Sequence, residues 1–353
     1  MGGGIDKDKV VQVACSGTTT WYLTKSGDLY GCGDGQYGQQ GNGSTTTVKT
    51  FTKRASGVAS VACNEHTTWY LTKSGDLYGC GYNFYGQQGS GTYGSNANVL
   101  TFTKRASNVI QVVCSDFTTW YLTESGDLYG CGHNDRGQQG SGNTNDVYTF
   151  TKRASNVAQI VCSNYTTWYI STINAYLYGC GYNNYGQQGI GSSATAILAF
   201  RQLSNTIKAQ KIYCSTGITW YLDLSNNLFG CGYGEFGQQG SGTYGSNANV
   251  KTFTNRASNV VQVTCSNNAT WYLTESGDLY GCGRNNRGQQ GSGDTNNVSA
   301  FTKRASNIAQ VACLGTTTWY LTKSGDLYGC GSNNYGQQGS GNTSNVLTFT
   351  KRN

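Results

Sequence analysis

No stretch of the chain reaches the roughly 18 consecutive apolar residues that a membrane-spanning helix needs. The opening residues, MGGGIDKDKV, lack the apolar centre of a secretory signal. Asp6 stands where a myristoylation motif would carry Ser or Thr. These absences predict a cytoplasmic or nuclear protein with a flexible tail over residues 1–9. No Cys-x-x-Cys pair occurs, so the usual zinc spacing is missing. Only two histidines are present, His66 and His133, and neither sits in a motif. No catalytic constellation is left, so no enzyme, metal or cofactor is expected. Proline is absent, and charged residues are 12% of the chain, about half the usual share. Thr, Asn, Gln, Ser, Gly and Tyr make up much of the remainder. They give an uncharged, hydrogen-bonding surface with a modest net charge of +7.

What the chain does have is repetition. "LYGCGDGQYGQQGNG" at 29–43 returns as "YGCGYNFYGQQGSG" from Tyr78 and "YGCGHNDRGQQGSG" from Tyr129. Further copies start at Tyr178, Phe229, Tyr280 and Tyr328, which makes seven. A period of about 50 residues overrides the two or three domains that this length would suggest. It predicts a single repeat domain over 1–353. Each unit reads as four short strands. In the first, "VVQVAC" (10–15) and "TTWYLT" (19–24) are β-prone and "KSGD" is a hairpin turn. "LYGCG" (29–33) is the return strand and "VKTFTKR" (48–54) the fourth. No segment shows a helical period of good helix formers. The pattern predicts an all-β fold, a seven-bladed β-propeller of four-stranded antiparallel blades. Residues 347–352 are expected beside 10–15, closing the ring with strands from both ends.

Both faces of "TWYL" are apolar, with Trp21 and Leu23 pointing one way and Tyr22 the other. A blade sandwiched between neighbours needs that. Trp21, Trp69, Trp120, Trp168, Trp220, Trp271 and Trp319 are therefore read as core. Each is worth roughly 4–6 kcal/mol of transfer energy as an upper bound. The fourteen cysteines fall two to a repeat. Cys15 and Cys32 lie on strands separated by a third, about 9–10 Å apart. A disulfide needs Cα atoms within about 7 Å. The cysteines are read as small, reduced packing residues.

"DLYGCGYNFYGQQGSG" preceded by "VACNEHTTWYL" resembles the repeat of the regulator-of-chromosome-condensation (RCC1) family. Gly81, Asn83, Gly86, Gln87, Gly89 and Gly91 match that family's motif. The resemblance spans essentially the whole chain and implies a seven-bladed propeller. It departs from the family pattern in four ways. Thr19, Thr67, Thr118, Thr166, Ile218, Ala269 and Thr317 stand where the family usually has His. Cys replaces the family's Trp before the first motif glycine, and Gln replaces Leu in Gly-Gln-Leu-Gly. The long hairpin that the family's exchange factor uses on its GTPase is missing. Fold resemblance alone does not carry that activity across.

Several features are not used up by the fold. Tyr37, Tyr85, Arg136, Tyr185, Phe236, Arg287 and Tyr335 occupy one position of the glycine loop. Tyr and Arg are favoured at binding hot spots, so these residues form a candidate binding ring. The loop after the first cysteine varies, and Glu65, His66, Asp116, Phe117, Asn164 and Tyr165 are its candidates. A basic ring holds Lys53, Arg54, Lys104, Arg105, Lys152, Arg153, Lys303, Arg304, Lys351 and Arg352. It reads either as edge protection against strand pairing or as a contact for an anionic partner, nucleic acid included. Asp28, Asp76, Asp127, Asp278 and Asp326 occupy equivalent turns and are read as turn stabilisers. Blade 4 is irregular at 171–176 and 201–211, a place for a unique contact or simple drift. The reading is a non-catalytic protein-interaction or assembly scaffold with a protein partner or self-assembly. The alternatives are an exchange factor or regulator of a small GTPase, and a glycan-binding or structural surface protein.

Overall fold

The computed structural model describes residues 9–192, 194–266 and 268–352. Among these residues every regular element is a strand, and no helix is long and apolar enough to cross a membrane. The strands form seven four-stranded antiparallel sheets, the blades of a β-propeller. In blade 1, β1 (Val10–Cys15), β2 (Thr19–Thr24), β3 (Leu29–Gly33) and β4 (Val48–Ala55) pair in that order. By chain contacts the molecule divides into two compact units, 1–173 with 198–200, and 174–197 with 201–353.

In the first unit, the core forms between blades rather than inside them. Trp21, Leu23 and Leu29 of blade 1 pack on Val58, Val61 and Tyr70 of blade 2. Trp69, Leu71 and Leu77 then meet Val109, Val112 and Tyr121. The second unit repeats the scheme, with Trp271, Leu273 and Leu279 against Ile308, Val311 and Tyr320. The alternation within "TWYL" causes this, because one face serves the following blade and the other the preceding one. Six of the seven tryptophans are at most 1% exposed. Trp319 departs from the expectation and is half-buried. β1 exposes Val13 by 62%, whereas its counterpart Val61 is 4% exposed.

Two glycines of the repeat are required by contact. A Cβ on Gly79, within "LYGCG", would lie 2.3 Å from the Trp69 ring. Gly41, closing "GQQG", has φ +62°, and a Cβ there would lie 2.4 Å from Phe102 of blade 2. That phenylalanine in turn sits edge-on to Trp21 at 5.9 Å.

One expected feature needs correction. The strand Val346–Lys351 pairs with Leu327–Gly331 of its own repeat, and β1 pairs with β2. The two terminal strands do not share a sheet as 347–352 beside 10–15 would require. The reason is local. Every "FTKR" strand is fixed to the hairpin just before it, here by an Arg352 N–H to Leu327 carbonyl bond of 2.8 Å and a Lys351–Asp326 ion pair of 2.7 Å.

Candidate functional site

Strand register sorts the candidate residues onto two opposite ends of the blades. β2 pairs with β3 as Thr19 with Gly33, so the loop after Cys15 and the glycine loop leave from the same end. β3 pairs with β4 as Tyr30 with Lys53 and Leu29 with Ala55, so the Lys-Arg pair lies at the hairpin end. The aromatic ring and the basic ring therefore cannot form one site.

At the hairpin end the lysines are matched within their own blades. Lys53, Lys104, Lys152, Lys303 and Lys351 pair with Asp28, Asp76, Asp127, Asp278 and Asp326 at 2.6–2.9 Å. The hydroxyls of Ser56, Ser107, Ser155 and Ser306 donate to the first four of these aspartates at 2.8 Å. The lysine and serine bonds hold these carboxyls below their ordinary range. Burial lowers the Arg54, Arg105, Arg256 and Arg304 guanidinium groups, whose stems line the blades. The aspartates thus do more than stabilise turns, because each ties the fourth strand to the hairpin.

At the loop end, the first glutamine of "GQQG" joins the two variable residue sets. Its Oε1 accepts the backbone N–H of the ring residue two positions before it: Tyr37 at 2.9 Å, Tyr85 at 3.0 Å, Arg136 at 2.8 Å and Tyr185 at 3.0 Å. Its Nε2 donates to a carbonyl of the next blade's variable loop. Gln39 reaches Glu65, Gln87 reaches Asp116 and Gln138 reaches Asn164, at 3.2–3.3 Å. One buried side chain therefore fixes both a ring residue and its neighbour's loop. The second glutamine, in place of the family's Leu, is also buried, and Gln88 donates to the Cys80 carbonyl at 2.8 Å.

The cysteines are joined to this network. The Cys80, Cys131, Cys231, Cys282 and Cys330 thiols reach back to glutamine carbonyls of the preceding blade at 3.3–3.5 Å. All described cysteines are free thiols. The expectation of small packing residues holds for Cys80 and its buried counterparts, which also act as donors between blades. It does not hold for Cys15, which is exposed. Among the described residues, no three His, Cys, Asp or Glu side chains are grouped to hold a metal.

The variable loops and the ring meet as an aromatic belt in the first unit. Tyr37 packs on His66 at 5.2 Å and on Tyr82 at 4.8 Å. Tyr85 packs on Phe117 at 5.3 Å and on His133 at 4.2 Å. Phe84, 42% exposed, bridges Tyr82 and Tyr85. Asp116 faces His66 Nδ1 at 3.5 Å, a charge contact rather than a well-formed hydrogen bond. It also accepts from Asn164 Nδ2 at 3.1 Å. His133 contacts Asp146 at 2.9 Å and Asp135 at 3.1 Å. Asp116 raises the His66 pKa despite partial burial. Burial alone would raise the Asp116 carboxyl, but the His66 contact and the Asn164 hydrogen bond outweigh it and leave it lowered.

Reading the sequence missed one set, the residue directly after the "GCG" glycines. Tyr82, His133, Tyr182, Tyr233 and Arg284 hold this position, and they pack against ring residues. Its variability within a fixed frame was the available signal. In the second unit Tyr185 packs on Tyr233 at 4.6 Å, and Arg284 lies over Phe236 at 4.8 Å. Arg136, Arg287 and Tyr335 are exposed. In the irregular segment 201–211, Lys208 bridges Tyr176, and residues 206–208 line a 380 Å³ hollow with Tyr221, Phe229 and Phe253.

The model of the regulator of chromosome condensation (RCC1) repeat matches residues 10–39, 58–87, 109–138, 260–289 and 308–337. Those stretches omit blades 4 and 5, where the hairpin turns read "STINAY" and "LDLSNN". No curated protein sequence matches the chain. Among solved structures, human WBSCR16 is 22% identical with a TM-score of 0.71, over 87% of this chain and 85% of that one. Prp20p of Saccharomyces cerevisiae, in a study of its binding to Gsp1p and histones, is 18% identical with a TM-score of 0.74. That alignment covers 94% of this chain and 88% of Prp20p. The yeast protein bound to Kap60 gives 19% and 0.73, over 92% and 84%.

Proposed function

The chain is a propeller of RCC1 repeats, and from that premise we propose that it is a non-catalytic binding scaffold whose loop end engages a protein partner. One observation carries this reading. The buried glutamine of each "GQQG" holds a variable ring residue and a variable neighbouring loop in fixed register, so variable side chains stand on an invariant frame. Binding sites are commonly built this way, with changeable loops on a rigid scaffold. The hairpin end, where the lysines of the basic ring are committed to aspartates, supports the reading less. A photo-crosslinking residue at Tyr37 or Tyr335, compared with one at Lys25 of the hairpin end, tests it in native host cells. Adducts from the loop end and none from the hairpin end are expected. Adducts from neither end, or from the hairpin end only, overturn it.

The second reading is an exchange factor or regulator of a small GTPase. Similarity to yeast RCC1 (Prp20) favours it, and that protein's binding to Gsp1p is the specific parallel. Stimulated nucleotide release across a panel of small GTPases supports this reading, and a flat response removes it.

A further inference from the structure

We propose that the loop end of blades 1–3 takes an arginine-bearing peptide segment of its partner. This rests on the loop end being the partner-facing surface. Three observations converge on it.

The first is the aromatic belt already described, with half-exposed rings and Phe84 more open than the rest. The second is charge. The chain as a whole carries +7, yet the loops at this end of blades 1–3 hold Asp34, Glu65, Asp116, Asp135 and Asp146. Arg136 contacts Asp135 at 3.4 Å, His133 contacts Asp135 and Asp146, and His66 faces Asp116, which leaves Asp34 and Glu65 as the carboxylates of these loops with no cationic contact among the ion pairs of the described residues. The corresponding loops of blades 5 and 6 are balanced, with Glu235 and Asp294 against Arg284 and Arg287. An aromatic surface rimmed by carboxylates attracts a planar cation and repels a phosphate backbone.

The third is an internal example of the same recognition. Arg284 of blade 6 follows the "GCG" glycine and lays its guanidinium over Phe236, the ring residue of blade 5, at 4.8 Å. In blades 2 and 3 the position of Arg284 is held by Tyr82 and His133, and the position of Phe236 by Tyr37 and Tyr85. One blade pair supplies its own cation to this geometry. In the first unit Tyr82 and His133 fill that place with rings of their own, so the aromatic surface runs outward to the exposed Phe84, where a partner's cation would stack. Arginine suits this better than lysine, because its planar group stacks on a ring while its N–H groups reach carboxylates.

The test uses the full chain and a fluorescein-labelled peptide of alternating arginine and glycine, read by fluorescence anisotropy. Saturable binding that weakens at high salt is expected. Phe84→Ala and the double variant Glu65→Gln/Asp135→Asn should each weaken it about fivefold or more. Tyr82→Arg, which copies the blade 6 arrangement, should weaken it likewise by setting an internal cation against the same rings and acids. Glu124→Gln/Glu275→Gln removes the same charge at the hairpin end and should leave affinity unchanged. Far-UV circular dichroism and thermal melting confirm that each variant is folded. The proposal is overturned by absence of saturable binding, by an equal loss in the hairpin-end variant, or by tighter binding of a single-stranded oligonucleotide than of the peptide. Loop-end crosslinks that persist without peptide binding would sink this proposal and spare the scaffold reading. Missing loop-end crosslinks would sink the scaffold reading itself.

Discussion

Gly79 has no room for a methyl group, whereas Gly57 has nothing within 4 Å of where one would stand. The sequence keeps glycine at the first position in every blade and replaces it by Asn at the second in most. Gly79→Ala should cost about 1–3 kcal/mol through overpacking against Trp69. Gly57 takes φ +71° where later blades place Asn108, Asn156, Asn259 and Asn307 at φ 57–61°. Gly57→Asn should therefore stay within about 0.5 kcal/mol of the parent. Urea midpoints of the two variants check both expectations. The His66–Asp116 pair makes a prediction in pH. His66 is raised, so its contribution is complete below the ordinary histidine range and fades as pH rises through its folded pKa. Asp116 is lowered, so its contribution is present above the ordinary aspartate range and is lost as pH falls through its folded pKa. The pair stabilises most between those ranges, from about 4 to about 6.5. Glu65 and Asp34 add to the field on His66 in the same direction. His66→Asn should thus lose most relative to the parent near pH 5 to 6 and little at pH 8, measured by urea titration at each pH.

At the scale of the strand, the third strand carries a buried thiol donor in blades 2, 3, 5, 6 and 7. Burial raises the thiol pKa of Cys80, Cys131 and Cys231 well above normal. The thiolate is the reactive form, so these cysteines should resist alkylation in the native state. Cys15, exposed at the end of β1, should be modified first. Mass spectrometry after brief iodoacetamide treatment, native and in urea, shows whether that order holds. Early native labelling of Cys80 would contradict the burial of the third strand. The four strands of each repeat, their hairpin and their order were legible in the sequence, because alternation and turn residues act locally. The partner of the terminal strand was not. Repeat order put 347–352 beside 10–15, whereas the backbone ladder and the lysine–aspartate tie hold that strand to its own hairpin.

At the scale of the molecule, stability depends on each blade's covering neighbour. Trp120 is fully buried and Trp319 is not, although both stand in the same "TTWYLT". Trp120→Ala should cost about 3–5 kcal/mol and Trp319→Ala clearly less. Equal losses in thermal or urea unfolding would show that Trp319 is covered as completely as the others. The sequence by itself determined the fold class, the number of blades, the tryptophan core and the two rings. Repetition and strand alternation are written in residue order and need no distant partner. Only the tertiary structure decided that the aromatic and basic rings stand at opposite ends. It also decided that the lysines are already paired, and that Tyr82 and His133 belong with Tyr37 and Tyr85. Those facts depend on strand register and on which loop of the next blade a glutamine reaches. Residues some 50 positions apart meet there, and no local pattern in the chain records the meeting.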